Sequence, residues 1–102
     1  GQITNAVRDS EFDGQTIKMG QILALNENKI SFVHDDINEA ALCLTKELYV
    51  DGSEFITVFY GEDISEDDAN TFLQMLNDSF SNAEITLICG GQSVYHYIIS
   101  VE

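Results

Sequence analysis

The spacing of apolar residues changes at Asp35, and this change limits the folds open to the chain. Before Asp35, short apolar runs alternate with Gly, Asn and Asp turn signals, which is typical of short antiparallel strands. After Asp35, apolar residues recur on one face of a predicted helix, at Ile37, Ala40, Ala41, Leu44 and Leu48. Asp36 and Glu39 have the spacing of an N-terminal cap for that helix. We therefore expect hairpins before this point and helix-containing structure after it.

The next segment predicts a strand, a helix and a second strand joined by short loops. Residues 55–60 are β-branched or aromatic and apolar at nearly every place, as in a central strand covered on both faces. Ser65 is placed to cap a helix whose predicted buried stripe is Ala69, Phe72, Leu73, Leu76 and Phe80. Residues 83–89 form the second apolar strand. Because a helical crossover joins parallel strands, we expect the two strands to be parallel.

Residues 94–101 predict a last strand, and Gly90 with Gly91 breaks the chain before it. We expect this strand to pair antiparallel with a nearby one. The predicted fold class is α+β: N-terminal antiparallel strands, then α-β-α-β-β, with a mixed sheet covered by two amphipathic helices.

The length of the chain suits one domain, because chains of about 100–150 residues usually build one core. We expect residues 1–102 to form a single domain, with a β-hairpin region at 1–34 and an α-β-α-β-β region at 35–102. The chain begins at Gly1 and not at Met, so we expect either a fragment of a longer protein or a trimmed product.

The net charge of the chain limits the classes of partner that it can bind. The chain carries 18 acidic and four basic side chains, a net charge of −14, and the cations Arg8, Lys18, Lys29 and Lys46 are scattered singly. Such a chain cannot neutralise a run of phosphates, so nucleic acids and anionic membranes are disfavoured. A basic protein surface as partner, or a role of the charge in solubility alone, are the two interpretations left. No apolar run approaches the roughly 20 residues of a membrane span.

The two cysteines, Cys43 and Cys89, each lie in an apolar segment without a CxxC motif or a neighbouring cluster of metal ligands. We predict that both are buried free thiols in a reducing compartment, which places the protein in the cytoplasm. A disulfide between them is the alternative.

Acidic residues are densest between residues 62 and 68, where a strand is followed by a helix: Glu62, Asp63, Glu66, Asp67 and Asp68. A divalent-cation site is one interpretation of this cluster. A helix cap with acids in the first turn is the favoured one, because the loop lacks the spaced glycine and carbonyl groups of a hard-cation site. We therefore expect no metal site and no bound cofactor.

Candidate chemistry in the closing segment is limited. Gly90-Gly91-Gln92 could hold an anion, but no phosphate-binding motif is present, and a turn with a positive φ is the simpler interpretation. His96 lies between Tyr95 and Tyr97, with no nucleophile at a recognisable spacing. We expect a structural or docking role for this group, and an enzyme built on His96 and the 62–68 carboxylates is the remotest interpretation.

Two stretches of the chain resemble one protein family. The first is Ala6-Val7-Arg8-Asp9, followed by Asp13-Gly14, Ile17 and Gly20; the second, more specific one is residues 90–102, which begin Gly-Gly-Gln-Ser-Val-Tyr-His-Tyr. Together with residues 57–61, they look like the C-terminal module of the bacterial dihydroxyacetone-kinase-like proteins, the kinase subunit of fatty acid kinase. The family usually has Pro in place of Ser93 and often Tyr in place of His96.

The resemblance implies a non-catalytic role for this piece. In the family, ATP and Mg bind an upstream helical domain that is absent here, and the C-terminal region engages a DegV-type fatty-acid-binding protein. That partner presents the fatty acid carboxylate for phosphorylation, which feeds phospholipid synthesis. Upstream kinase domains of the same chain are also expected partners, and a homodimer of the full-length protein is left open. The candidate docking and motif residues are Arg8, Asp9, Gly90, Gly91, Gln92, Tyr95, His96 and Tyr97.

A small-ligand-binding regulatory module of the same kinase is the alternative function. It predicts an enclosed apolar pocket between sheet and helices, with one or two polar groups converging on it.

Overall fold

The structure, a computed structural model, describes residues 1–6, 9–12, 15–26 and 29–102. The described elements run in chain order as β1 (Gln2–Asn5), β2 (Ser10–Phe12), β3 (Gln15–Ile17), β4 (Ile22–Asn26), β5 (Lys29–His34), α1 (Ile37–Leu48), β6 (Phe55–Tyr60), α2 (Glu66–Ser79), β7 (Glu84–Cys89) and β8 (Tyr97–Val101). This is the predicted α+β class.

Six strands form one mixed sheet in the order β5-β4-β1-β8-β6-β7. The strands β6 and β7 are parallel and joined by α2, which confirms the predicted strand–helix–strand unit. The closing strand β8 lies between β1 and β6 and is antiparallel to both, which also confirms its predicted orientation. The hairpin of β4 and β5 is antiparallel as expected.

A second, two-stranded sheet pairs β2 with β3. Among the described strands that precede the first helix, the three-residue β2 is the one that no apolar run in the sequence indicates. Ser10 and Glu11 have low strand propensity and no alternating pattern, so nothing local marks this strand. The Asp13-Gly14 turn signal lies outside the described residues.

Both helix starts follow the predicted capping. The Asp36 carboxylate accepts a hydrogen bond from the Glu39 backbone N–H at 2.9 Å, and the Ser65 hydroxyl accepts one from the Asp68 N–H at 3.1 Å. Each cap satisfies one of the four N–H groups that a helix start leaves free. Neither described helix is long and apolar enough to cross a membrane.

The core lies on one face of the sheet. Strand register places Ile3, Ala24 and Tyr97 in one row of that face, and Val58 beside Ile99 in another. These residues share a single buried cluster with the apolar stripes of both helices: Ala40, Ala41, Leu44, Ala69, Phe72 and Leu76. Both helices therefore pack on the same side.

The opposite side of the sheet, which we call the open face, carries eight branched or aromatic apolar residues among those that the structure describes: Leu23, Leu25, Ile30, Val33, Phe55, Phe59, Ile88 and Ile98. None of these eight belongs to the buried cluster or packs against it. No helix of the described residues covers this side. The prediction that residues 55–60 are covered on both faces is therefore wrong, since both available helices occupy one face and leave Phe55 48% exposed.

Burial of the cysteines was also predicted wrongly. Cys43 and Cys89 are both exposed, although they are free thiols as predicted. Cys43 lies on α1 outside its buried stripe, and Cys89 ends β7, a strand at the edge of the sheet. The apolar neighbourhood of Cys43 was misleading because a helix buries only one side, whereas Cys89 lies in the core-side row of Tyr60 and Tyr97 but at the last position of an edge strand.

Candidate functional site

The closing segment folds over the end of β6 and forms what we call the closing corner, residues 61–63 and 90–97. The Gly61 N–H donates to the His96 carbonyl oxygen at 2.8 Å, and the Glu62 N–H donates to that of Gln92 at 2.9 Å. The Gln92 side-chain amide donates to the Phe59 carbonyl oxygen at 3.0 Å. Backbone and side-chain hydrogen bonds thus fix the segment to the sheet.

Gly61 allows this close packing. A Cβ atom at this position would overlap the Tyr95 carbonyl oxygen and lie 2.9 Å from that of Gln92. Because both obstacles are backbone atoms, a side chain at residue 61 would force the two loops apart.

The two glycines of the predicted turn contribute backbone N–H groups. Gly91 has a φ of 67°, as the turn interpretation predicted, while a Cβ at Gly90 would meet the Gln92 side chain. Both N–H groups donate to the Tyr60 carbonyl oxygen, at 3.0 and 3.2 Å. These are the groups that an anion cradle would need, so they are already used.

His96 is 7% exposed and lies where three segments meet. Its Nδ1 is 2.6 Å from Asp63 Oδ2, an ion-pair distance without hydrogen-bond alignment, and its Nε2 contacts Asn5 Oδ1. The Asn5 amide group donates to the Gly20 carbonyl oxygen, which fixes the oxygen of that amide toward the imidazole. Both ring nitrogens therefore contact oxygen atoms of neighbouring side chains, and these contacts join His96 to β1 and to the loop after β6.

Tyr97 belongs to the core. Its ring is fully buried and lies 4.7 Å from that of Phe72, and its hydroxyl donates to Asn38 Oδ1 at 2.9 Å. Burial, helped by the carboxylates of Asp68 and Asp36, raises the pKa of the Tyr97 hydroxyl well above its ordinary value. This residue therefore joins β8 to the helix layer.

The remaining predicted site residues lie partly inside and partly outside the closing corner. Tyr95 and Gln92 are its partly exposed members. The Asp9 carboxylate accepts from the Met19 N–H at 2.7 Å, a contact in the turn before β4, and Arg8 lies outside the described residues. A docking role for this set stays a prediction.

Three surface depressions bear on the small-ligand alternative. They have volumes of about 310, 290 and 340 Å³. The first is lined by Asn26 of β4 with Lys29, Ile30 and Ser31 of β5, the second by the starts of the two helices, and the third by Gly1 with the end of β8. All three are open to solvent. None of the three is the enclosed apolar pocket that a small-ligand module requires.

Sequence reasoning missed the open face, part of which lies across β8, β6 and β7. Register places three rows there: Ile98, Phe59 and Ile88; then Ser100, Thr57 and Thr86; then Glu102, Phe55 and Glu84. In the last row Phe55 and Glu102 exchange both backbone hydrogen bonds, at 2.9 and 2.8 Å. Alternation of apolar and polar residues in 84–89 was the one signal that could have revealed a sheet covered on a single side.

Comparison with known proteins gives one family. Residues 1–102 match the model of the family described as the FakA-like C-terminal domain of fatty acid kinase. An uncharacterized protein of Staphylococcus haemolyticus is 34% identical over all 102 residues, and protein YloV of Bacillus subtilis is 32% identical over the same length. The match covers the whole of this chain and 18% of each of these two relatives, so the chain spans less than a fifth of their length.

Proposed function

This chain belongs to the FakA-like C-terminal domain family of fatty acid kinase, and we propose that it is the docking module of an ATP-dependent fatty acid kinase and contributes no catalytic residue. It engages a DegV-type fatty-acid-binding protein, which presents the acyl carboxylate for phosphorylation and so supplies phospholipid synthesis. ATP and Mg bind elsewhere in the full-length protein. The working compartment is the cytoplasm, where the two free thiols stay reduced.

The observation that carries the proposal is the open face. Eight apolar residues of the described chain share this side of the sheet, and two of them, Phe55 and Ile88, are 48% and 39% exposed. Aromatic and aliphatic side chains that face water together are typical of surfaces that another protein covers. A docking module needs such a surface.

The closing corner supports the absence of catalytic chemistry. Both ring nitrogens of His96 contact oxygen atoms, and the N–H groups of Gly90 and Gly91 already donate to the Tyr60 carbonyl oxygen. The groups that could move a proton or hold an anion therefore stabilise the fold instead.

Deletion of this module from the full-length kinase protein tests the proposal. We expect the truncated protein to bind ATP as before and to lose measurable affinity for the DegV-type protein in calorimetry. Retained affinity for that partner would overturn the docking role, and loss of ATP binding by a folded truncated protein would overturn the claim that the module is non-catalytic.

A further inference from the structure

We propose that the row Glu102, Phe55 and Glu84 is the anchor of the docking surface, and that it fits an apolar recess rimmed by Lys or Arg side chains on the partner. This inference rests on the docking function proposed above and adds to it a position and a partner chemistry. Three observations carry it: the exposure of Phe55, the register of its two acidic neighbours, and the distribution of the cations.

Phe55 is the large aromatic residue of the open face that projects most into solvent. It is 48% exposed, whereas Phe59, on the same side of the same strand, is only partly exposed. Aromatic residues at the centre of an interface commonly carry a large share of its binding energy. A ring presented from a central strand is also held rigidly, so little conformational entropy is lost when a partner closes over it.

Carboxylates flank this ring on both sides. Glu84 is the register partner of Phe55 on β7, and Glu102, the residue directly after β8, is its backbone partner on the other side. Paired residues of neighbouring strands point to the same face of a sheet, so both exposed acids lie on the open face beside the ring. An apolar anchor between two negative charges is complementary to an apolar recess with a basic rim.

The described cations lie elsewhere. Lys18 precedes the turn into β4, Lys29 begins the strand at the far edge of the sheet, and Lys46 is in the last turn of α1. Within the described residues, no lysine or arginine therefore belongs to the strands that carry the anchor row. The negative field of this row is available to a partner's basic side chains.

The same charges argue against a second copy of this chain as the occupant. A twofold contact through the row would place Glu84 and Glu102 of one copy against the same carboxylates of the other, and like charges at an interface are repulsive. An upstream segment of the same polypeptide is the remaining competitor, and the test below separates it from a distinct partner.

The test measures binding of the DegV-type protein by the full-length kinase protein, using Phe55→Ser and the matched control Val50→Ser. Val50 is 64% exposed but lies in the loop between α1 and β6, outside the strands that carry the anchor row. We expect Phe55→Ser to weaken binding about 30-fold, the equivalent of about 2 kcal/mol, and Val50→Ser to leave it unchanged. Glu84→Gln with Glu102→Gln, which keeps the apolar surface, should slow association and flatten its salt dependence.

The outcomes are distinguishable. Wild-type protein that fails to bind the DegV-type protein would overturn the proposed function itself. Wild-type binding that Phe55→Ser and the double Gln variant both leave unchanged would overturn the anchor alone. A lower melting temperature of full-length Phe55→Ser with unchanged affinity would show that an upstream segment covers the row, and would also overturn the anchor.

Discussion

The carboxylate of Asp63 lies 2.6 Å from Nδ1 of His96, and this contact joins the loop after β6 to the residue before β8. The fold thus brings together two groups that lie in separate segments of the sequence. Asn5 on β1 completes the cluster from the other side of the imidazole. The histidine thereby links three parts of the sheet at one point.

We predict that Asp63 and His96 stabilise the fold cooperatively. Asp63→Asn and His96→Gln should each destabilise the protein, and the double variant should lose less than the sum, with a coupling of about 1 kcal/mol. Urea denaturation of the four proteins measures this coupling. Strict additivity would show that the contact contributes nothing to stability.

Phosphoryl transfer by the full-length protein should survive His96→Gln. Both ring nitrogens contact oxygen atoms of the protein itself, so we expect the substitution to remove structural contacts and no chemistry. A kinase assay with a saturating concentration of the DegV-type fatty-acid-binding protein should give a rate close to that of the wild type. A loss of about 100-fold or more in a folded variant would identify His96 as a general acid or base and contradict our interpretation.

Tyr97 should make the fold sensitive to alkali. Because the pKa of its hydroxyl is raised in the folded state, this group leaves stability intact below the unfolded value of about 10 and lowers it by about 1.4 kcal/mol per pH unit above that value. Tyr97→Phe should lose about 1 kcal/mol at neutral pH with the hydrogen bond to Asn38, but should show a shallower alkaline decline. Urea denaturation at a series of alkaline pH values tests whether stability falls as the pH rises. Tyr95→Phe is the control and should keep the steep decline of stability with pH.

Substitutions at Gly61 and at Gly52 should destabilise the protein for different reasons. Ala at Gly61 would collide with the carbonyl oxygens of Tyr95 and Gln92, which should cost about 2 kcal/mol or more. Gly52 has a φ of 93° and open space around it, so Ala there should cost about 1 kcal/mol through backbone strain alone. Asn should relieve the strain at Gly52 and worsen the collision at Gly61. Thermal denaturation of the Ala and Asn variants at both positions distinguishes the two causes. If the Ala and Asn variants had the same order of melting temperatures at Gly61 as at Gly52, this account would be contradicted.

Both thiols should react in the native state. Cys43 and Cys89 are exposed, so a thiol reagent should label both without denaturant. If either thiol reacted only after unfolding, that cysteine would be buried as the sequence predicted, and its exposure in the structure would be contradicted. Serine variants at each position assign the two reaction phases.

The helices and their caps could be predicted because their signals are local. Asp36 with Glu39 and Ser65 with Asp68 lie within one turn of each other, and the apolar stripes repeat within the same segments. The strand–helix–strand unit could also be predicted, because its short loops leave the two strands few other ways to pair.

Strand order and the open face could not be predicted, because both depend on distant pairing. The position of β1 between β4 and β8 joins Ile3 to Tyr97, at the other end of the chain. The apolar residues Phe55 and Phe59 made β6 look buried on both sides, although they face away from the helices. A surface kept apolar for binding imitates a core in sequence, so the pattern misleads at the place where we propose function.

The most direct test of docking through the open face is methyl NMR of the isoleucines during titration with the DegV-type protein. Ile98 and Ile88 lie in one row of the open face, whereas Ile99 and Ile37 belong to the helix-covered side. The account predicts that the methyl signals of Ile88 and Ile98 shift on binding while those of Ile37 and Ile99 stay in place. Shifts at Ile37 and Ile99, with Ile88 and Ile98 unchanged, would place the partner on the helix side and contradict it.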